Sequence, residues 1–305
     1  MRIDELNAVY DGSNSTFDLL QAFGWGPLLN LGYFSLPALP SMVLGGLAPF
    51  QERLAHESLM LLHAGDGDRV LDACCGCGYT TSRIADAVAD VLGVDLLEHH
   101  VRMARARYGT HPTLRFGVAD VTQLPEKSEG FRLDDDSIDS VFCLEAAFHL
   151  GTEGRREFLS ECSRVLRPGG RVVLVDFAWT DDNPTSIDEL DPQRIVREMW
   201  SFDEFEPLER YRSTASELGF REVQICDWTD TVTGRFQRIA SLMTRVGMFP
   251  PARKLISVFH PPVARVHPDA WGIALNVLRA HERVLPMTRY VAFVFQKPRQ
   301  RRSGF

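Results

Sequence analysis

The sequence predicts an α/β fold: a doubly wound, Rossmann-like sheet of seven mostly parallel strands, with an N-terminal lid and a helical cap insertion. Three observations predict it. Apolar runs rich in β-branched residues alternate with helix-period patterns between Arg69 and Phe177, an order that calls for right-handed crossovers and a parallel sheet covered on both faces. The first run, Arg69-Val70-Leu71-Asp72, opens into a loop of small residues holding Gly76 and Gly78, and a helical pattern starts at Thr80. A strand, tight turn and helix N-terminus in that order bring backbone N–H groups close to a ligand. Finally, the first three strands close on acids, Asp72, Asp95 and Asp120.

Taken in order, residues 1–47 hold a helical candidate (Ser15 to Phe23), then Gly24-Trp25-Gly26-Pro27, Asn30-Leu31-Gly32-Tyr33-Phe34, Pro37 and Pro40. This stretch is too apolar for a disordered tail and is expected to pack over the core as a mobile lid. A helix over Pro49–His63 stops at Gly65-Asp66-Gly67. Strands are expected over Arg69–Cys75, Val88–Leu96, Thr113–Val121, Ser137–Glu145 and Gly170–Phe177, with helices over Thr80–Ala87, Leu97–Tyr108 and Glu153–Leu166. Arg167-Pro168-Gly169-Gly170 is a turn with its breakers in place. A helix near Leu208–Leu218 then leads to a strand over Glu222–Trp228, and the last strand is Tyr290–Gln296. Between those two strands, Thr231 to Met287 reads as helices around Pro250-Pro251 and Pro261-Pro262. The division is therefore a lid (1–47), a Rossmann-like core (48–230), a helical cap (231–288), and a last core strand with a basic tail (289–305).

Composition narrows the function. The formal net charge is −8, which disfavours a large nucleic-acid footprint, since phosphate binding needs a Lys/Arg surface excess. No apolar stretch approaches the roughly 18 residues of a transmembrane helix, and Met1-Arg2-Ile3-Asp4-Glu5 lacks the basic-then-apolar pattern of a signal peptide. Cytoplasmic residence with no membrane partner is the expectation, and a homodimer stays open. Cys74, Cys75 and Cys77 crowd the glycine loop, but their spacing is not that of a zinc site and no second pair completes one. They read as small residues in a tight loop, and no metal is expected.

Ligands of a doubly wound sheet sit at the carboxyl ends of the strands, beside the point where strand order reverses. Those ends carry Asp72 with the glycine loop, Gly93-Val94-Asp95, Ala119-Asp120-Val121, Glu145-Ala146-Ala147-Phe148-His149, and Asp176-Phe177. An acid in the second position can accept both hydroxyls of a ribose, and one in the third can meet an adenine amino group.

Val70-Leu71-Asp72 with its loop, Gly93-Val94-Asp95, Ala119-Asp120 and Val165-Leu166-Arg167-Pro168-Gly169-Gly170 resemble the class I S-adenosylmethionine-dependent methyltransferases. The resemblance covers roughly residues 50 to 180. Within that superfamily the chain is similar to the small-molecule group that methylates natural products, through Gly32-Tyr33-Phe34, the Glu145…His149 stretch and Asp176-Phe177. Two departures stand out. Cys74 takes the place of the first loop glycine, and Glu126 to Asp136 is longer and more acidic than usual.

The resemblance implies S-adenosylmethionine as cofactor. Asp72 and the Cys74, Gly76 and Gly78 loop would hold its methionine part, Asp95 the ribose, and Asp120 with Val121 the adenine. Glu145 would contact cofactor or substrate, and Tyr33 would close over the sulfonium or the acceptor. His149, the only histidine at a strand's carboxyl end, would be the general base with a pKa near the ordinary 6.5, oriented by Asp176. The function implied is methyl transfer to a small, partly apolar metabolite of secondary metabolism. O-methylation is the first expectation, with N- and C-methylation open. Two other classes remain: a non-methylating cyclase that uses the cofactor structurally, and a methyltransferase acting on a macromolecule.

Overall fold

Parallel strands buried on both faces must be apolar on both sides, and β1 (Arg69–Ala73) shows why this sequence forms one. Val70 packs into one core cluster, while Leu71 and Ala73 pack into the other, on the opposite face. The structure, a computed structural model, describes residues 10, 17–25, 28–35, 38–180 and 185–299. Ser15, Gly26-Pro27, Pro37, Asp181 to Pro184 and the tail beyond Arg299 lie outside the described residues.

Around β1 the sheet assembles from β2 (Asp90–Asp95), β3 (Leu114–Val118), β6 (Ile138–Leu144), β7 (Leu166–Trp179), β9 (Arg221–Asp227) and β10 (Thr288–Gln296). Between β3 and β6, β4 (Lys127–Ser128) and β5 (Phe131–Arg132) form a separate hairpin. The sheet order is β3-β2-β1-β6-β7-β10-β9, and the two-residue β8 (Glu206–Pro207) adds to β7. Strands β1, β2, β3, β6 and β7 pair in parallel, while β10 runs antiparallel between β7 and β9. The expected seven strands are therefore present in line.

The long acidic segment 126–136 is spent on the hairpin. It buries Phe131 under the Arg69 guanidinium, 4.4 Å from the ring centroid. Helices Gly151–Val165 and Leu208–Glu217 share one face of the sheet; helices Ala48–Met60, Tyr79–Ala85 and Glu98–Tyr108 cover the other. The cap consists of helices Arg235–Gly247, Pro250–Phe259 and Pro268–Val284, entered through one π-helical turn at Asp230–Gly234. Gly247 is required there because a Cβ would lie 1.8 Å from the Trp271 ring.

The N-terminal segment is tied down on both sides. Tyr33 N–H donates to the Phe50 carbonyl, Phe34 N–H donates to the Thr231 carbonyl, and Arg235 reaches the Phe34 carbonyl at 2.5 Å. Phe34 is fully buried and stacks on Phe50 with ring centroids 4.4 Å apart. Residues 28–35 thus bridge core and cap, because a stretch carrying Leu28, Leu31 and Phe34 finds burial there that water does not offer. Phe34→Ala is expected to cost about 3–5 kcal/mol of folding free energy, read as a lower denaturant midpoint at unchanged slope.

Candidate active site

Chain direction across the sheet reverses between β1 and β6, and the site lies where the loops after these strands diverge. The loop after β1 turns through three left-handed residues, Cys74 (φ 60), Gly76 (φ 52) and Gly78 (φ 84). Glycine is the only residue that fits at 78: a Cβ would sit 2.7 Å from the Phe116 ring and 2.8 Å from the Ala104 methyl. Cys74 holds the same kind of conformation with a side chain, a strained geometry for a non-glycine residue and one concentrated at functional sites.

An open cavity lies over this loop. Its wall includes Asp72, Cys74, Gly76, Asp95, Glu145 and His149. Asp72 is almost fully buried at the end of β1, and its Oδ2 accepts the hydroxyls of Thr80 (2.7 Å) and Thr81 (2.6 Å). Burial pushes its carboxyl up to about 6 even so. Asp95 is the loop's brace: Oδ2 accepts Gly76 N–H at 2.9 Å and Oδ1 accepts Leu97 N–H at 2.9 Å. His100 Nδ1 lies 3.3 Å from the same Oδ1. Each carboxylate oxygen has a second lone-pair direction, so the brace still has acceptor capacity toward the cavity.

Glu145 follows β6 in a left-handed conformation (φ 49). Both its oxygens receive Leu31 N–H, at 3.1 and 3.2 Å, and Oε1 also accepts the Tyr290 hydroxyl at 2.5 Å. The carboxylate therefore clamps the N-terminal segment to the sheet edge. Burial pushes it up to about 8, against the downward pull of those hydrogen bonds.

His149 sits in the short 3₁₀ turn Ala147–Leu150, which is held by the buried Arg155 through the carbonyls of Phe148 (3.5 Å) and Glu204 (3.2 Å). Its Nδ1 is 2.9 Å from the Ser201 carbonyl and its Nε2 is 3.0 Å from the Tyr10 hydroxyl. A carbonyl can only accept, so Nδ1 carries the proton and Nε2 is the lone-pair nitrogen, accepting from Tyr10. Burial lowers the imidazole to about 4, not the ordinary 6.5 expected from the sequence.

The structure corrects the expected His149–Asp176 couple. Strands β6 and β7 are neighbours, but β7 runs on to Trp179, so Asp176 lies inside the ladder opposite Val291. Strand alternation gives it the parity of Val172 and Leu174, which pack in the cluster containing Tyr211. Its Oδ2 accepts the Tyr211 hydroxyl at 3.1 Å and its Oδ1 accepts Phe177 N–H at 2.8 Å. Full burial pushes it up to about 7. The Ser201 carbonyl takes the orienting role instead, presented by a left-handed turn (φ 49) at the end of helix Ile195–Trp200.

Four other expected residues stand off the cavity wall. Tyr33 is set edge-on against Trp228, 5.7 Å between centroids. Asp120 is exposed and its Oδ1 caps Thr122 through both N–H (2.9 Å) and hydroxyl (2.7 Å), while Val121 is buried behind it. Gly78 serves as the N-terminal residue of helix Tyr79–Ala85. Conversely, Tyr10, Asn30 and Ser201 carry no motif and escaped sequence reasoning. Asn30 Oδ1 is buried without a hydrogen-bond partner, and Asn30 lines the cavity.

A second, apolar chamber is lined by Leu31 and Phe148, the chain neighbours of Asn30 and His149 in the first. Phe148, Phe177, Trp200, Phe205 and Phe236 dominate its wall, and Gln237 and His281 bring the polar groups. Its roof comes from the cap.

S-adenosylmethionine offers an ammonium, a ribose diol and an adenine amine, all donors. The cavity answers with Asp72, Asp95 and the unpaired Asn30 oxygen, so the residues present fit it. Replacing Asp95 by alanine is expected to weaken cofactor binding roughly 10- to 150-fold, the loss of one or two charge-assisted hydrogen bonds, as measured by calorimetry with S-adenosylhomocysteine.

Comparison with known proteins agrees. The family described as "Methyltransferase domain" matches residues 70–170, from β1 through the Gly169-Gly170 turn. An O-methyltransferase of Pyrenophora dematioidea is 27% identical over 251 residues, covering 80% of this chain and 84% of that protein. Erythromycin 3''-O-methyltransferase of Saccharopolyspora erythraea is 30% identical over 222 residues, covering 68% of this chain and 66% of its own length. Among solved structures, geranyl diphosphate C-methyltransferase from Streptomyces coelicolor A3(2), bound to S-adenosyl-L-homocysteine, superposes with a TM-score of 0.63 at 15% identity, covering 94% of this chain and 98% of that one. The fold, the glycine loop between two acid-bearing strand ends and the matched relatives converge: the chain belongs to the class I S-adenosylmethionine-dependent methyltransferases.

Proposed function

We propose that the chain transfers the methyl group of S-adenosylmethionine to a hydroxyl oxygen of a small, partly apolar acceptor bound beneath the cap, with His149 as general base. One observation carries this reading. His149 lines the acidic cavity, its chain neighbour Phe148 lines the aromatic chamber, and a phenolic O–H, that of Tyr10, already donates to the His149 Nε2 at 3.0 Å. An acceptor hydroxyl displacing Tyr10 would make the same hydrogen bond.

When bound, the cofactor supplies an electrophilic methyl on a positively charged sulfur. Asp72, Asp95 and Asn30 take up its donors, and Glu145 holds residues 28–31 as the partition between cofactor and acceptor. Phe148, Phe177 and Phe205 exclude water from the acceptor, which favours alignment of the reacting atoms. Nε2 of His149 receives the acceptor proton, and the Ser201 carbonyl keeps Nδ1–H in place throughout. Cytoplasmic residence belongs to this reading, and the six free cysteines support it.

The test is incubation with methyl-labelled cofactor and a panel of apolar small molecules bearing phenolic or alcoholic hydroxyls. A labelled ether formed one-to-one with S-adenosylhomocysteine is the expected result. Label on nitrogen or carbon only would overturn the hydroxyl assignment. Conversion of a substrate with no S-adenosylhomocysteine released would identify a non-methylating cyclase, and label in RNA or protein a macromolecular acceptor.

A further inference from the structure

The cap is electrically and chemically unlike the rest of the chain. Residues 235–287 hold eight Lys or Arg side chains against two acids, in a chain of formal net charge −8. The same segment carries most of the large exposed apolar side chains: Leu242, Val246, Met248, Phe249, Leu255, Val258, Phe259 and Ile273. Phe249, Leu255 and Val258 are 68%, 63% and 69% exposed. Helix Pro250–Phe259 has no buried residue at all. That is a high concentration for a soluble surface, where apolar residues are ordinarily scattered singly.

These side chains are ordered by helix period. On helix Arg235–Gly247, Phe236 and Gln237 line the acceptor chamber. Leu242 and Val246, four apart, fall on the far side of the helix, and Phe249 continues their row. Arg238 and Arg245 border it, largely exposed and paired with Asp230 (2.8 Å) and Glu282 (3.7 Å). On helix Pro250–Phe259, Leu255, Val258 and Phe259 share one side, with the exposed Lys254 next to Val258. This helix packs on helix Ala38–Gly45, whose Leu44 is 70% exposed. Apolar rows edged by Arg and Lys, on short helices lying at a surface, are the pattern of interfacial helices that insert shallowly between lipid head groups.

We infer that the cap's outer face, centred on Phe249, Leu255, Val258 and Phe259, docks on an anionic lipid bilayer. Charge selects this occupant. A second copy would bring two basic faces together, whereas anionic lipids attract juxtamembrane Lys and Arg side chains. The sequence expectation is of no membrane partner; no described helix is long and apolar enough to cross a bilayer, and a surface contact needs no such helix. Docking would set the roof of the aromatic chamber against the lipid phase, where apolar acceptors partition.

The experiment uses the full chain and vesicles of phosphatidylcholine, with and without an equal part of phosphatidylglycerol. Co-sedimentation is expected with the anionic vesicles, weakened by high salt, and not with phosphatidylcholine alone. The double substitution Leu255→Glu/Val258→Glu should reduce anionic-vesicle binding roughly tenfold or more. Both positions are exposed, so S-adenosylhomocysteine binding should stay unchanged and report an intact fold. Arg245→Glu/Lys254→Glu should have a similar effect on vesicles. Absence of binding to anionic vesicles, or binding by both variants as strong as that of the unsubstituted chain, would overturn the proposal. So would a dimer in size-exclusion chromatography that Leu255→Glu/Val258→Glu converts to a monomer, since the face would then belong to a second copy. Specific capture of an acidic protein that displaces the vesicles would assign it to a protein partner. None of these readouts depends on methyl transfer, so failure here leaves the proposed reaction untouched.

Discussion

His149→Ala is expected to lower kcat by about 10²–10⁴-fold, the usual worth of a general base, or about 3–5 kcal/mol of barrier. Cofactor affinity should hardly change if, as proposed, Asp72 and Asp95 take up the cofactor's donors, because His149 is neutral and bonded to Tyr10 and Ser201 instead. The pH profile separates a base from a packing residue. Burial has lowered His149 to about 4, so the lone pair on Nε2 is free throughout the neutral range. At saturating cofactor, kcat should be flat between pH 6 and 9 and fall only as the medium approaches that value. A wild-type kcat at saturating cofactor that halves near pH 6.5 would contradict the buried, neutral imidazole. Near-native kcat in the alanine variant would leave alignment alone as the source of catalysis. Tyr10→Phe removes the hydroxyl that competes for Nε2 and should not reproduce the loss.

Glu145→Gln should act in opposite directions on the ligand-free protein and on the complex. The carboxyl is raised from 4.5 to about 8 in the fold, chiefly by burial. A raised folded-state value means that the stability of the protonated form is fully present below the unfolded value and is lost as pH rises through the folded one. The window is therefore about pH 4.5 to 8, and a shift of this size corresponds to the order of 4 kcal/mol at its alkaline end. The glutamine variant, which cannot ionise, should unfold at a higher temperature than the wild type at pH 9 and at a similar temperature at pH 5. The cationic cofactor reverses the sign, since it prefers the ionised site. Wild-type affinity for S-adenosylmethionine should rise between pH 6 and 8, as Asp72 (about 6) and Glu145 give up their protons. In the variant that rise should be shallower and the affinity at pH 8 lower. Identical melting curves across this range would show that Glu145 is ionised without penalty and that the clamp on Leu31 has another origin.

What was legible beforehand follows the range of the interactions involved. The glycine loop needs left-handed backbone at Gly76 and Gly78, a local requirement written in two residues. Strand burial on two faces is written in runs such as Val70-Leu71 and Val172-Val173-Leu174-Val175. Asp72 and Asp95 follow directly from those elements, since an acid at a strand's carboxyl end has nowhere to point but the sheet edge. Asp176 shows where this reasoning stops. One extra turn of β7 pairing with β10 moved the strand end past it, and parity sent the carboxylate to Tyr211.

By itself the sequence determined the fold class, the glycine loop and the two acids beside it, because these depend on neighbours along the chain. Only the tertiary structure decided what His149 bonds to and which segment Glu145 clamps. It also decided that an aromatic chamber assembles from Leu31, Phe148, Phe177 and the cap. Those contacts join residues 52, 114 and 139 positions apart, and their geometry is set by how helices pack on a twisted sheet. The physical reason is directional: a hydrogen bond needs both partners placed to a few tenths of an ångström, and no local preference of Ser201, Leu31 or Tyr10 specifies that placement.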